Sequence, residues 1–231
     1  SLYHPASEQI SFASDFPNDT GKYHIIKCIE KCRTQPGIWA ASGNACVVHL
    51  QHESMKMKCI QEIRIPDACQ VRVLHEDDQG NLWIGTENAI YQYSISDGNM
   101  RRIHKDTGAI NGIAISPDKA IYYITETPEF SCLPPDGQVH SIHKGENYSS
   151  IIISPDNKIW TATLEGNVYS YHPQLQTLAR EDNACNANGD AVKSMTVDNL
   201  GHLWILADQY VKEYNPKNHS FRILYNSDRF I

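Results

Sequence analysis

His75-Glu76-Asp77-Asp78-Gln79-Gly80-Asn81-Leu82-Trp83-Ile84-Gly85-Thr86, followed after a short connection by Ile90-Tyr91-Gln92-Tyr93-Ser94-Ile95, decides the fold. Val71 to Glu76 reads as a strand, and Asp77 to Asn81 as the turn that sends it back. Leu82 to Thr86 is a second strand dense in large apolar groups. Glu87-Asn88-Ala89 is a connection, and Ile90 to Ile95 alternates as a third strand does. Ser96-Asp97-Gly98-Asn99 is a turn by chemistry, because Asp-Gly and Gly-Asn tolerate positive φ; Met100 to Lys105 is the fourth strand.

The pattern recurs along the chain. Trp39, Trp83, Trp160 and Trp204 all stand in one local context, and Tyr122 takes the same place in Ala120-Ile121-Tyr122-Tyr123-Ile124-Thr125. These aromatics lie 44, 39, 38 and 44 residues apart. A period near 40 residues is the length of one four-stranded propeller blade. No segment sustains a 3.6-residue apolar period, so almost no helix is expected. The fold class predicted is all-β: a β-propeller of four-stranded antiparallel blades, five full blades and part of another, in an incomplete ring. The blades span 17–66, 67–107, 108–146, 147–186 and 187–231, and residues 1–16 form the outer strands of a partial blade, Leu2 to Pro5 and Ile10 to Phe16. The missing ring closure suggests a chain cut from a longer one. The ring aromatics Trp39, Trp83, Tyr122, Trp160 and Trp204 are expected to be buried packing groups in the wedge between neighbouring blades.

Composition narrows the function. The chain has 231 residues, 41% hydrophobic and 20% charged, with a net charge of -7. Lys56 with Lys58 and Arg101 with Arg102 are its densest basic spots, too small for a nucleic-acid footprint. No run of 18 apolar residues is present to span a bilayer. The seven cysteines, at 28, 32, 46, 59, 69, 132 and 185, are an odd number without a Cys-x-x-Cys pair, and are expected to be free, mostly buried thiols. His49-x-x-His52 and His140-x-x-His143 are the close histidine pairs, but residues three apart on a strand point to opposite faces. No metal or cofactor is expected, and no nucleophile elbow, zinc-helix motif or phosphate loop occurs.

The second repeat, through Gly80-Asn81-Leu82-Trp83-Ile84-Gly85-Thr86 and Ala89-Ile90-Tyr91, resembles the regulator-propeller repeat of hybrid two-component system histidine kinases of Bacteroides-type gut bacteria. The fifth repeat is similar through Asp198 to Ile205 and through Tyr214-Asn215-Pro216. The resemblance covers nearly the whole chain, with a looser match in the first, third and fourth repeats. It implies a periplasmic sensor region of an inner-membrane protein that detects glycan-derived oligosaccharides and controls transcription of glycan-utilisation genes. It also implies a partner in a neighbouring propeller or β-sandwich domain, a homodimer in the full-length receptor, and no contact of this stretch with nucleic acid or membrane. The kinase's phospho-accepting histidine has no counterpart here.

In a propeller, second-to-third strand connections and blade-to-blade connections share one face. That face is expected to present Asn44, Glu87, Asn88, Glu126, Glu165, Asp208 and Gln209, with Tyr148 and Tyr210 at or beside the same connections. Amides and carboxylates suit sugar hydroxyls, and flat rings suit a sugar's apolar face. The same polar rim is compatible with a propeller lactonase or lyase, with a protein-interaction scaffold, or with ordinary solvated loops.

Overall fold

A computed structural model describes residues 2–4, 9–11, 26–42, 45–53, 56–66, 70–105, 107–135, 137–185 and 189–226. The described residues contain no α-helix. Five four-stranded antiparallel sheets follow one another, each with its strands in chain order. A two-stranded sheet precedes them, β1 (Leu2–His4) against β2 (Gln9–Ser11). The expected continuation of β2 to Phe16 lies outside the described residues.

The chain divides into two compact units, 1–106 and 107–231. The first unit holds the first blade, β3 (Ile26–Lys31), β4 (Ile38–Ser42), β5 (Cys46–Glu53) and β6 (Lys56–Arg64). It also holds the second, β7 (Val71–Glu76), β8 (Asn81–Thr86), β9 (Ala89–Ser94) and β10 (Met100–Lys105). The second unit begins with the third blade, β11 (Ile110–Ile115), β12 (Ile121–Thr125), β13 (Glu129–Leu133) and β14 (His140–Lys144). The fourth comprises β15 (Tyr148–Ile153), β16 (Ile159–Thr163), β17 (Val168–His172) and β18 (Thr177–Arg180). The fifth comprises β19 (Val192–Val197), β20 (Leu203–Ala207), β21 (Tyr210–Asn215) and β22 (Ser220–Asn226).

The first turns of the later blades share a local device. The residue three before the ring aromatic is left-handed in four blades: Gly80 at φ 78°, Lys119 at 69°, Asn157 at 67° and Gly201 at 83°. Glycine and asparagine accept that conformation readily, whereas lysine carries a Cβ penalty there. In the three of these blades whose aromatic is tryptophan, the residue six before it receives the indole N–H. Trp83 donates to Asp77 at 2.8 Å, Trp160 to Ser154 at 3.1 Å and Trp204 to Asp198 at 3.1 Å. The ring is thereby pinned to its own turn while its faces remain free to pack.

The faces pack between blades. In the first unit Trp39, Val47 and Ile63 of the first blade join Leu74, Leu82 and Tyr91 of the second in one core. In the second unit Tyr122 lies 6.0 Å from Tyr171 of the fourth blade, and Trp160 meets Tyr214 of the fifth edge-on at 6.3 Å. Trp39, Trp83, Tyr122 and Trp160 are buried as expected. Trp204 departs from that expectation: it is only half-buried. No later blade among the described residues covers its flank of the fifth sheet, where Leu206, two residues on and on the same face, is also exposed. Six cysteines are free thiols; Cys69 lies outside the described residues.

Candidate functional site

The first strand of every blade carries a β-bulge at the same place. The register shifts between Ile26 and Cys28, Val71 and Val73, Ile110 and Gly112, Tyr148 and Ser150, and Val192 and Ser194. The extra residues are Lys27, Arg72, Asn111, Ser149 and Lys193. A bulge re-aims its extra side chain and ends regular pairing, and such bulges concentrate beside binding sites. Lys27, Arg72 and Lys193 are exposed. The sequence reading missed these five residues. A one-residue bulge leaves strand alternation almost intact, and the offset from the ring aromatic, eleven residues in four blades and twelve in the first, was the available signal.

In the second unit these bulges meet the connections singled out from sequence. The backbone N–H of Glu126 donates to Ala109 at 2.8 Å, and that of Leu164 to Asn147 at 2.9 Å. Lys193 Nζ lies 3.1 Å from Asp208 Oδ1. Strand β15 packs between β11 and β19, so the three blades present these ends side by side. The rim of this unit therefore gathers Glu126, Glu165, Asp208 and Gln209, all exposed, around Asn111, Ser149 and Lys193. Glu165 accepts the Asn147 amide at 2.6 Å, which holds its carboxyl below the usual carboxylate range. Leu164 stands exposed beside it and adds an apolar surface that sequence did not suggest.

The two tyrosines do not offer the stacking faces expected of them. Tyr148 is 2% exposed; its ring meets Phe130 edge-on at 6.0 Å, and its hydroxyl bonds to His143. Tyr210 is also buried, and burial pushes its hydroxyl up to about 12. Both begin strands, and the strand register turns their rings into the core. Close to Tyr210, the buried Lys212 donates to the carbonyls of Ala184 at 3.1 Å and Cys185 at 2.7 Å. Its cation thus fastens the connection between β18 and β19; burial lowers its pKa. In the first unit Glu87 and Asn88 are exposed, and the Asn88 N–H bonds back to Thr86 Oγ1 at 3.4 Å. Asn44 lies outside the described residues.

Two concavities lie elsewhere, among first-to-second and third-to-fourth strand turns. One, of about 320 Å³, runs between Ser154–Asp156 of the fourth blade and Asn199–Gly201, Pro216 and Lys217 of the fifth. The other, of about 310 Å³, is a depression on the fifth blade floored by His202, Glu213 and Phe221.

These features define a protein of the four-stranded-blade β-propeller class. A family model described as two component regulator propeller matches residues 65–88, which contain the stretch that decided the fold. None of the curated proteins matches the chain. Among solved structures, the extracellular domain of the hybrid two component system BT4673 of B. thetaiotaomicron is similar at a TM-score of 0.70 and 16% identity. The similarity covers 90% of this chain and 28% of that one. The extracellular domain of the hybrid two component system BT3049 of the same organism aligns at 0.68 and 17%, over 89% and 29%. A chain of a nidogen/laminin complex aligns at 0.65 and 17%, over 81% and 77%. This chain thus spans less than a third of the bacterial domains it resembles. No helix among the described residues is long and apolar enough to cross a membrane.

Proposed function

We propose that this chain is a ligand-binding part of the extracellular, periplasmic sensor region of a hybrid two-component system, with no catalysis of its own. The observation that carries the reading is one coincidence. The stretch that matches the regulator-propeller repeat lies within a blade architecture like that of two bacterial extracellular domains of such systems. The ligand is a glycan-derived oligosaccharide, and its binding controls transcription of glycan-utilisation genes. In the second unit its hydroxyls would meet Glu165, Asp208, Ser149 and Lys193, and its apolar face Leu164, a mixture suited to sugars. A neighbouring propeller or β-sandwich domain and a second receptor copy complete the assembly.

Calorimetric titration of the chain with a panel of plant and host oligosaccharides tests this. Saturable binding is expected to at least one class, and alanine at Lys193, Glu165 and Leu164 together should weaken it by more than about tenfold. Binding left unchanged by that triple substitution removes the ligand from this rim. Turnover of a sugar or lactone in the same titrations would replace the sensor reading with an enzymatic one.

A further inference from the structure

On the fifth blade, Asp198, His202 and Glu213 bring three potential ligand atoms within 4.8 Å of one another. His202 Nδ1 stands 2.8 Å from Glu213 Oε1 and 3.9 Å from Asp198 Oδ2. Four-coordinate zinc with bonds near 2.0–2.1 Å places its ligand atoms about 3.4 Å apart, and the two distances bracket that separation. We propose that Asp198, His202 and Glu213 form a divalent transition-metal site, of a kind suited to zinc, that opens into the depression on this blade.

The chain carries its own control. The second blade repeats the scaffold position by position. Asp77 stands for Asp198, Asn81 for His202, Trp83 for Trp204, Gln92 for Glu213 and Arg101 for Arg222. Trp83 pairs with Gln92, and Trp204 with Glu213. Arg101 bonds to Gln92 at 2.7 Å, and Arg222 bonds to Glu213. In the second blade the Asn81 amide donates to both oxygens of Asp77, at 3.2 and 3.0 Å, so the turn is satisfied with no metal-binding donor set. The fold therefore does not need a histidine and a glutamate there. Their presence in the fifth blade replaces two amides by one imidazole and one carboxylate, both able to ligate.

The surrounding bonds fix which atom of each group faces the cluster: one oxygen of each carboxylate, with a lone pair to spare, and His202 Nδ1, which bonds to Glu213 Oε1 at 2.8 Å and gives up that bond when it ligates. Asp198 Oδ1 is held by the backbone N–H groups of Leu200 and His202, both at 2.9 Å. Its Oδ2, steadied by the Trp204 indole, faces the imidazole. Arg222 occupies Glu213 Oε2 and leaves Oε1 toward His202. Such outer partners orient ligands and fix their charge. Two carboxylates against one guanidinium leave one net negative charge for the ion, and solvent supplies a fourth ligand from the depression.

Titration of the chain with zinc chloride tests the site, with cobalt(II) absorption as a second readout. One equivalent of zinc should bind, and cobalt should give the intense visible bands of a four-coordinate site. His202→Asn and Glu213→Gln install the residues that the second blade already accommodates, so the fold is retained, as circular dichroism would verify. Each should weaken zinc binding by more than about a hundredfold, beyond the loss typical of an outer partner, and abolish the cobalt bands. Zinc affinity unchanged in both folded variants, or no saturable binding to the parent chain at millimolar zinc, overturns the proposal and leaves the cluster as a hydrogen-bond network.

Discussion

Trp39 of the first blade donates its indole N–H to Glu76 of the second at 2.7 Å. In the second, fourth and fifth blades the indole bonds to the residue six before it in its own turn. In the first blade that place is Arg33, which has no acceptor. The N–H crosses instead to a fully buried carboxylate, which also receives the Thr34 backbone N–H at 2.8 Å and the Thr34 hydroxyl at 2.6 Å. Glu76→Ala strands the buried Trp39 indole N–H, removes both Thr34 bonds, and should destabilise the first unit by about 2–4 kcal/mol. A double-mutant cycle with Trp39→Phe in chemical denaturation should show coupling above about 0.5 kcal/mol; additive losses would mean the bond carries no stability of its own.

Trp160 and Trp204 hold equivalent places but differ in cover. Trp160 is 1% exposed against the fifth blade, so Trp160→Ala should cost about 3–5 kcal/mol through lost transfer energy and a cavity. Trp204→Ala should cost under about half as much. Equal losses by denaturant titration would show that blade-to-blade cover does not govern the value of the ring.

His75 is held down to about 4 from its ordinary value of 6.5, by burial first and then by the charge of Arg33. Between those values the unfolded chain takes up a proton that the folded chain refuses. Stability should therefore fall as pH drops from about 6.5 to about 4, and level off below. The loss is at most about 3 kcal/mol. Glu30, 3.7 Å away and raised by burial, opposes part of it. His75→Gln should flatten the slope in melts across this range; an unchanged slope would assign it to other groups.

Lys119 adopts φ 69° where the second and fifth blades have glycine. Lys119→Gly should stabilise the third blade's turn by about 0.5–1 kcal/mol by removing the Cβ penalty. A lower melting temperature would show that chain entropy outweighs the relieved strain.

Tyr210 Oη is buried without a hydrogen-bond partner among the described residues. Tyr210→Phe should leave stability unchanged or raise it by about 1 kcal/mol, because no bond is lost and a desolvation cost disappears. A loss above about 1 kcal/mol would reveal a partner for the hydroxyl.

The repeat made the blades legible. Trp83 and its turn show in sequence because Asp77, Gly80 and the aromatic act within seven residues, and short-range turn chemistry is written locally. Strand positions in the second blade were readable for the same reason: Val71 to Glu76 and Met100 to Lys105 are strands β7 and β10 with those bounds. The rim connections Glu126, Glu165 and Asp208 were also locatable, since connections follow from strand ends.

Sequence by itself determined the period, the strand order and the ring aromatics, because each rests on alternation or on a turn a few residues long. Only the tertiary structure decided which of those residues reach solvent and which meet. The bulges chose Lys193 and Ser149 for the rim, and strand register turned Tyr148 and Tyr210 inward. Burial of Trp160 but not Trp204 depended on a neighbouring blade. The pairing of β20 with β21 brought Glu213 beside His202, eleven residues away in the chain. Such contacts are set by register and stacking, where a one-residue shift changes every neighbour, and no local stretch of sequence records them.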